Sequence, residues 1–330
     1  MRIGVAATPD VAIPTLNWLL QSEHEVALII TQPDRPAGRG RLLQQSVVGQ
    51  WAESHLIPVI KPENSRELIG KIEGLDLVLT IGYGVLLPEA ILALPKHGFL
   101  NLHFSLLPAY RGAAPAQRAL HNGETVTGVS VFQLDRGMDT GPIFTQESIH
   151  IEPPWRSFEL LEHLAALGPE VVKRSFAMIE SGQPPYEQVG VSSIAPKISK
   201  AEAKIDFKQA AKQISDAIRA FTYEPGAWTL WKGESFKICA TGVSNTSSGV
   251  PGEILVMDKS VFVSTGSGAI ELLRVIPAGK KDNSYETGLD CINRELEEET
   301  AYKSDNIIKI TDLHSCVGYS SELIEMFIDI

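Results

Sequence analysis

The sequence is poor in cysteine, in aromatic residues and in long apolar runs. Its three cysteines, Cys239, Cys291 and Cys316, stand far apart and are odd in number. They argue against a disulfide framework or a zinc site and for a reducing compartment. No stretch approaches the roughly 18 consecutive apolar residues of a membrane span. The apolar start, Ile3 to Ala7, is too short for the core of a secretory signal. A cytoplasmic protein with no membrane partner is therefore expected. Hydrophobic residues make up 44% and charged residues 21% of the 330 positions, near globular averages, which excludes large-scale disorder.

Basic residues are also scarce overall, and the net charge is −11. Its distribution is uneven: residues 1–196 carry −6, residues 197–281 carry +4, and the last 49 residues carry −9. A mildly basic middle and an acidic end mean that net charge alone decides nothing about a nucleic-acid partner.

Strand-like and helix-like segments alternate in the first part. Val26 to Thr31, Leu75 to Ile81 and Gly98 to His103 read as strands, and Ser46 to Ser54 suits a helix. Strands buried on both faces and separated by helices predict a doubly wound, mostly parallel α/β sheet. Ligands in such sheets bind beyond the carboxyl ends of the strands, where Asn101 and His103 fall. A long amphipathic stretch, Ser157 to Ile179, follows, then a polar, lysine-spaced connector over 191–206. A helix is expected over Phe207 to Phe221. Short β-rich runs then alternate with Gly/Ser/Asn turns from Pro225 to Ile276, which suits a small β-barrel or sandwich.

Asn101 and His103 are two apart, so on a strand they face one side. Asp139 lies in the glycine-punctuated loop Leu134 to Pro142. A neutral His with a carboxylate partner and an amide donor suits acyl transfer. A strand-end Asn or His also commonly does no more than satisfy a turn, and spacing leaves both readings open.

The run Asn101-Leu-His-Phe-Ser-Leu-Leu-Pro-Ala-Tyr-Arg-Gly-Ala-Ala-Pro115 closely resembles the signature of folate-dependent formyltransferases, in particular the branch acting on methionyl-tRNA. Further matching pieces follow in the family's order: Ala7-Thr8-Pro9, Thr31 to Gly40, Gly82 to Pro88, Asp139-Thr-Gly-Pro142, Lys197-Ile-Ser-Lys200 and Pro225-Gly-Ala-Trp228. The resemblance covers about residues 1–281. It implies a Rossmann-like catalytic domain over 1–190, a linker over 191–206, and an OB-like tRNA-binding barrel over 207–281. It implies transfer of the formyl group of 10-formyltetrahydrofolate, a cosubstrate, to the amine of methionyl initiator tRNA for translation initiation, by a monomer that needs no metal. Asn101 and His103 would hydrogen-bond the formyl oxygen, and Asp139 would hold the His and take part in proton movement. Ser105, Leu106, Leu107 and Pro108 match the folate-binding segment. The backbone around Gly82, Tyr83, Gly84 and Leu86 would line the pterin pocket. Arg35, Arg39 and Arg41, with Arg111, would contact tRNA. A same-fold enzyme acting on a sugar amine or another small amine is the nearest rival.

The tail, 282–330, resembles something else. Glu286 followed by Arg294-Glu-Leu-Glu-Glu-Glu-Thr300 is similar to the Nudix box of nucleotide pyrophosphatases. On a helix Glu295, Glu298 and Glu299 would share a face that suits Mg²⁺. The sheet that normally precedes such a box has no place in this chain, so a partial, inactive Nudix-like segment is expected, with a bifunctional enzyme as the alternative.

Overall fold

In the computed structural model, residues 1–37, 42–231, 233–245, 249–257, 260–277, 287, 289–291, 307–309 and 327–329 are described. They form two compact units. The first comprises residues 1–116, 125–152 and 159–197; the second comprises 117–124, 153–158 and 198–330.

The first unit is built on a seven-stranded sheet. Its strands are β1 (Arg2–Ala7), β2 (Glu25–Ile30), β5 (Val59–Ile60), β6 (Leu77–Ile81), β7 (Phe99–His103), β8 (Val126–Gln133) and β9 (Ile143–His150). Their order is β5-β2-β1-β6-β7-β8-β9. The first five run parallel, β8 pairs antiparallel with β7, and β9 pairs antiparallel with β8. Every residue of β6 is buried, as expected of a strand covered on both faces. Helices α1 (Ile13–Gln21), α2 (Val47–Ser54), α3 (Glu89–Leu92) and α5 (Ser157–Glu180) and a small hairpin, β3 (Arg35–Ala37) with β4 (Leu42–Gln44), complete the elements before the second unit, apart from α4 (Pro115–His121). Ser46 starts α2 by accepting the Gly49 N–H at 3.0 Å, and its hydroxyl also bonds Thr31 Oγ1 at 2.7 Å. Phe99 and Phe132 are fully buried, each contributing roughly 1.5–3 kcal/mol of transfer free energy.

The chain goes outward from β1 to β2 and β5, then returns to the other side of β1 to lay down β6 and β7. The reversal lies between β1 and β6, so the crevice at their carboxyl ends is the natural ligand site. The turn after β6 meets the turn after β1 there. A Cβ on Gly82, which has φ +58°, would stand 2.7 Å from Pro9 Cγ. Only glycine permits both the backbone angle and this approach.

The second unit holds α6 (Ala211–Phe221) and an antiparallel five-stranded sheet of β10 (Trp228–Trp231), β11 (Glu234–Ser244), β12 (Ile254–Met257), β13 (Ser260–Ser264) and β14 (Ala269–Ile276), in the order β10-β11-β14-β13-β12. The sequence led us to expect α6 from Phe207. Instead Asp206 Oδ1 accepts the Lys208 N–H at 3.0 Å in a local turn, and Ala210 stays extended with ψ 149°. The helix therefore begins at Ala211. The unit is β-rich as expected, and among the described residues β10 and β12 are the edges of this sheet. β15 (Ile307–Lys309) pairs antiparallel with β16 (Phe327–Asp329). Glu286, Glu295, Glu298 and Glu299 lie outside the described residues, and the Nudix-like reading of the tail rests on its sequence alone.

Candidate active site

The carboxyl end of β7, which lies between β6 and β8, brings Asn101 and His103 to one face because residues two apart on a strand point to the same side. The Thr80 hydroxyl carries one proton, shared between Leu100 O at 3.0 Å and Asn101 Oδ1 at 2.8 Å. With its oxygen held toward β6, the Asn101 amide keeps its Nδ2 protons for another acceptor.

His103 is 5% exposed and packs edge-on against Phe132. Its Nε2 lies 2.9 Å from Tyr110 O and can only donate to that carbonyl. Its Nδ1 faces Asp139 Oδ2 at 3.8 Å, too long for a hydrogen bond and close enough for a strong field in a buried site. Burial pushes the imidazole pKa below its ordinary value, against the opposing pull of Asp139 and the Tyr110 carbonyl. The resting side chain is thus neutral, protonated on Nε2 with a lone pair on Nδ1.

Asp139 sits at φ +56°, a left-handed conformation that Asp tolerates better than most residues. Its Oδ2 accepts the Gly112 N–H at 2.7 Å. Gly112 has φ +122°, and a Cβ there would stand 2.8 Å from Ala195 O, so glycine is required for the amide to face Asp139.

Ser105 is fully buried, and its hydroxyl donates to Ala109 O at 2.6 Å. Leu107 is buried and joined to Pro108 by a cis peptide bond. Ser130 Oγ holds this bend from beneath: it accepts from Leu107 N at 3.1 Å and from Gln146 Nε2 at 2.8 Å, and donates to Ser105 O at 2.6 Å. The Tyr83 ring is buried in the core beside Leu68, Ile72 and Leu92. Only its backbone, between Gly82 and Gly84, is available to a ligand. Leu86 is 86% exposed on the same turn.

Of the basic residues, Arg35 donates to Gln32 Oε1, and Gln32 Nε2 donates to Tyr83 O at 2.8 Å. Arg111 gives two N–H groups to Gln188 Oε1, at 2.6 and 3.2 Å. Arg39 and Arg41 lie outside the described residues. The sequence offered no sign of a role for Thr80 or Gln188, and Gln32, inside the matching piece Thr31 to Gly40, was not singled out. Tyr110 and Gly112 stand inside the signature, but their roles come from backbone atoms that a residue type does not announce. No group of three or more metal-ligating side chains occurs among the described residues, nor any helix long and apolar enough to cross a membrane.

Comparison with known proteins identifies the family of the chain. The sequence model described as formyl transferase matches residues 1–175, and that of the formyl transferase C-terminal domain matches residues 197–289. The methionyl-tRNA formyltransferase of Salinispora tropica is 42% identical over 289 residues, which are 85% of this chain and 94% of that protein. That of Hydrogenovibrio crunogenus is 38% identical over 289 residues, 85% of this chain and 93% of its own. Among solved structures, the N-formyltransferase from Helicobacter canadensis, in complex with folinic acid and dTDP-3-aminofucose, superposes with a TM-score of 0.62 at 22% identity, covering 84% of this chain and 98% of that one. HypX from Aquifex aeolicus, in complex with tetrahydrofolic acid, gives 0.61 at 18% identity over 94% of this chain and 50% of that one. These structural likenesses are of fold; the sequence relatives carry the assignment. The chain belongs to the formyl transferase family, among the methionyl-tRNA formyltransferases.

Proposed function

We propose that the chain transfers the formyl group of 10-formyltetrahydrofolate to the α-amino group of methionyl initiator tRNA. The observation that carries the reading is the buried His103, with one nitrogen fixed by Tyr110 O and the other turned to Asp139, on a chain about 40% identical to named methionyl-tRNA formyltransferases.

The folate donor supplies the formyl carbon, and the amine of the aminoacyl group is the nucleophile. The protein must therefore remove a proton and stabilise an oxyanion. His103 Nε2–H is spent on Tyr110 O, which leaves Nδ1 for chemistry. Neutral His103 takes a proton from the attacking amine as the nitrogen–carbon bond forms. The imidazolium produced lies opposite Asp139, whose charge stabilises it. Asn101 Nδ2 donates to the formyl oxygen as it gains negative charge, and the new Nδ1–H of His103 can do the same. His103 then returns the proton to the nitrogen from which the formyl group departs, so charge and protons balance.

The folate-binding reading of Ser105 to Pro108 and of Gly82 to Leu86 is supported by place and chemistry. The second segment is the turn at the switch point of the sheet, with two left-handed glycines and the exposed side chain of Leu86. Backbone polar groups beside apolar surface suit a flat heterocycle with a polar edge. Arg35, Arg39 and Arg41 are proposed as phosphate contacts. Arg111 is better read as a holder of Gln188.

The decisive assay is formyl transfer to charged initiator tRNA, with uncharged tRNA and a nucleotide-linked aminosugar as controls. Transfer to the aminosugar but not to the charged tRNA would reject this substrate.

A further inference from the structure

Residues 188–195 carry no motif, yet they run beside the segment that grips both His103 and Asp139. Tyr110 N donates to Ser193 Oγ at 2.9 Å, Arg111 N to Ser193 O at 2.8 Å, Ala195 N to Arg111 O at 2.6 Å, and Ala114 N to Ala195 O at 3.0 Å. The strand-like strap thus fixes residues 110–114, whose Tyr110 O binds His103 and whose Gly112 N binds Asp139. Gln188 closes the ring from the other side. Its Nε2 donates to Asp139 O at 2.9 Å and to Gly141 O at 2.8 Å, while Arg111 holds its Oε1.

We propose that the 188–195 strap is the positioning element of the reaction and that Gln188 is the residue through which it sets Asp139 against His103. The inference rests on the reading of His103 and Asp139 as the proton-handling pair. A left-handed Asp in a glycine-punctuated loop keeps its conformation only where its surroundings over-determine it. Two hydrogen bonds from one amide to the carbonyls of residues 139 and 141 supply that determination. Without them the carboxylate is free to swing from Nδ1, and a displacement of about one ångström can cost on the order of 100-fold in rate.

Among the described residues Asp139 is the charged group set against the imidazole, which the Tyr110 carbonyl and the Phe132 ring also face. Loosening Asp139 removes a group that raises the His103 pKa, while burial, which lowers it, stays. The acidic limb of the rate profile should therefore move to lower pH as turnover falls.

The test uses the full chain with Gln188→Leu, which keeps bulk and loses every hydrogen bond, and Ser193→Ala, which removes the hydroxyl that Tyr110 N binds and nothing else. Rates against pH and an NMR titration of the His103 imidazole are read together. Gln188→Leu is expected to lower kcat about 10- to 100-fold, to leave the folate KM near its wild-type value, and to shift the His103 titration downward. Wild-type kcat or an unmoved titration in that variant overturns the proposal. If Gln188→Leu does not fold, Ser193→Ala decides: a smaller loss with a displaced titration supports the strap, and a wild-type titration rejects it. His103→Ala serves as the control. Its retained activity would sink the proton-handling pair itself, whereas an inactive His103→Ala beside a normal Gln188→Leu sinks only the strap.

Discussion

His103 has one nitrogen for structure and one for chemistry, and this division makes its behaviour predictable. His103→Ala and Asp139→Asn should each lower kcat by at least ~100-fold with little loss of folate binding, since the transition-state interactions go and the ligand interactions stay. Single-turnover rates measured beside folate titrations check this, and near-normal turnover in either variant would show the set to be wrong. The pH dependence follows from the direction of the imidazole shift. The working form is neutral, and burial holds the pKa below its ordinary value of 6.5. Hence the enzyme's own share of the kcat/KM profile, read after allowing for protonation of the substrate's amine, should be level through neutrality and fall as acidification passes the lowered pKa. The linkage to stability has the same sign. Between the folded pKa and 6.5 the unfolded chain binds more protons at this residue, so its contribution to stability is present above 6.5 and is lost as pH falls. Half-buried His121, also shifted down by burial and then by Arg118, adds to that loss. A rate that instead declines as pH rises through neutrality would identify the imidazolium as the working form and reject the base assignment.

At the scale of elements, Gln32 ties the β3–β4 hairpin to the site among the described residues. Gln32 binds Arg35 on the hairpin and Tyr83 O on the switch-point turn, and its own N–H lies 3.4 Å from Thr8 Oγ1 after β1. Replacing Arg35, Arg39 and Arg41 together should raise the tRNA KM and flatten its salt dependence, by roughly one unit of slope for each phosphate that an arginine no longer neutralises. An unchanged slope measured across a salt series would reduce the hairpin to a solvated turn. The strands that place the site were readable in the sequence because β1 and β6 are largely apolar runs of strand length and β7 is an apolar segment that ends in polar residues. The two-residue β5 and the β3–β4 hairpin were not, since neither has the length or alternation that sets a strand apart from a loop. Asn101, His103 and Asp139 stood out through residue type and spacing. Gln188 did not, because a glutamine in a loop acquires its role only when the fold brings together partners 49 and 77 residues away in the chain.

For the whole molecule, the open matter is where the transferase ends. The family resemblance in the sequence fades near residue 281, yet the matched C-terminal domain runs to residue 289. Cys291 is 1% exposed and lines an apolar cavity of about 40 Å³ with Phe207, Trp231, Phe236 and Leu272 of the β-rich unit. Thr287 Oγ1 accepts the Asp290 N–H at 3.0 Å, and Cys291 N donates to Thr287 O at 3.0 Å, so a capped turn delivers the thiol to its place. Two truncations should therefore differ. Ending the chain after residue 281 removes Cys291 from the cavity and should cost about 1–3 kcal/mol of stability. Ending it after Cys291 should leave both thermal stability and formyl transfer near those of the full chain, although both cuts discard Glu295, Glu298 and Glu299. The same comparison bears on the Nudix-like tail. Hydrolysis of a nucleotide diphosphate needs its substrate fixed against the metal in a shaped cavity, and a metal-binding face alone does not provide this. No Mg²⁺-dependent cleavage of ADP-ribose is expected from the full chain. Cleavage that disappears on Glu298→Gln would make the protein bifunctional, and equal melting temperatures for the two truncations would show that residues 282–291 do not belong to the core of the β-rich unit.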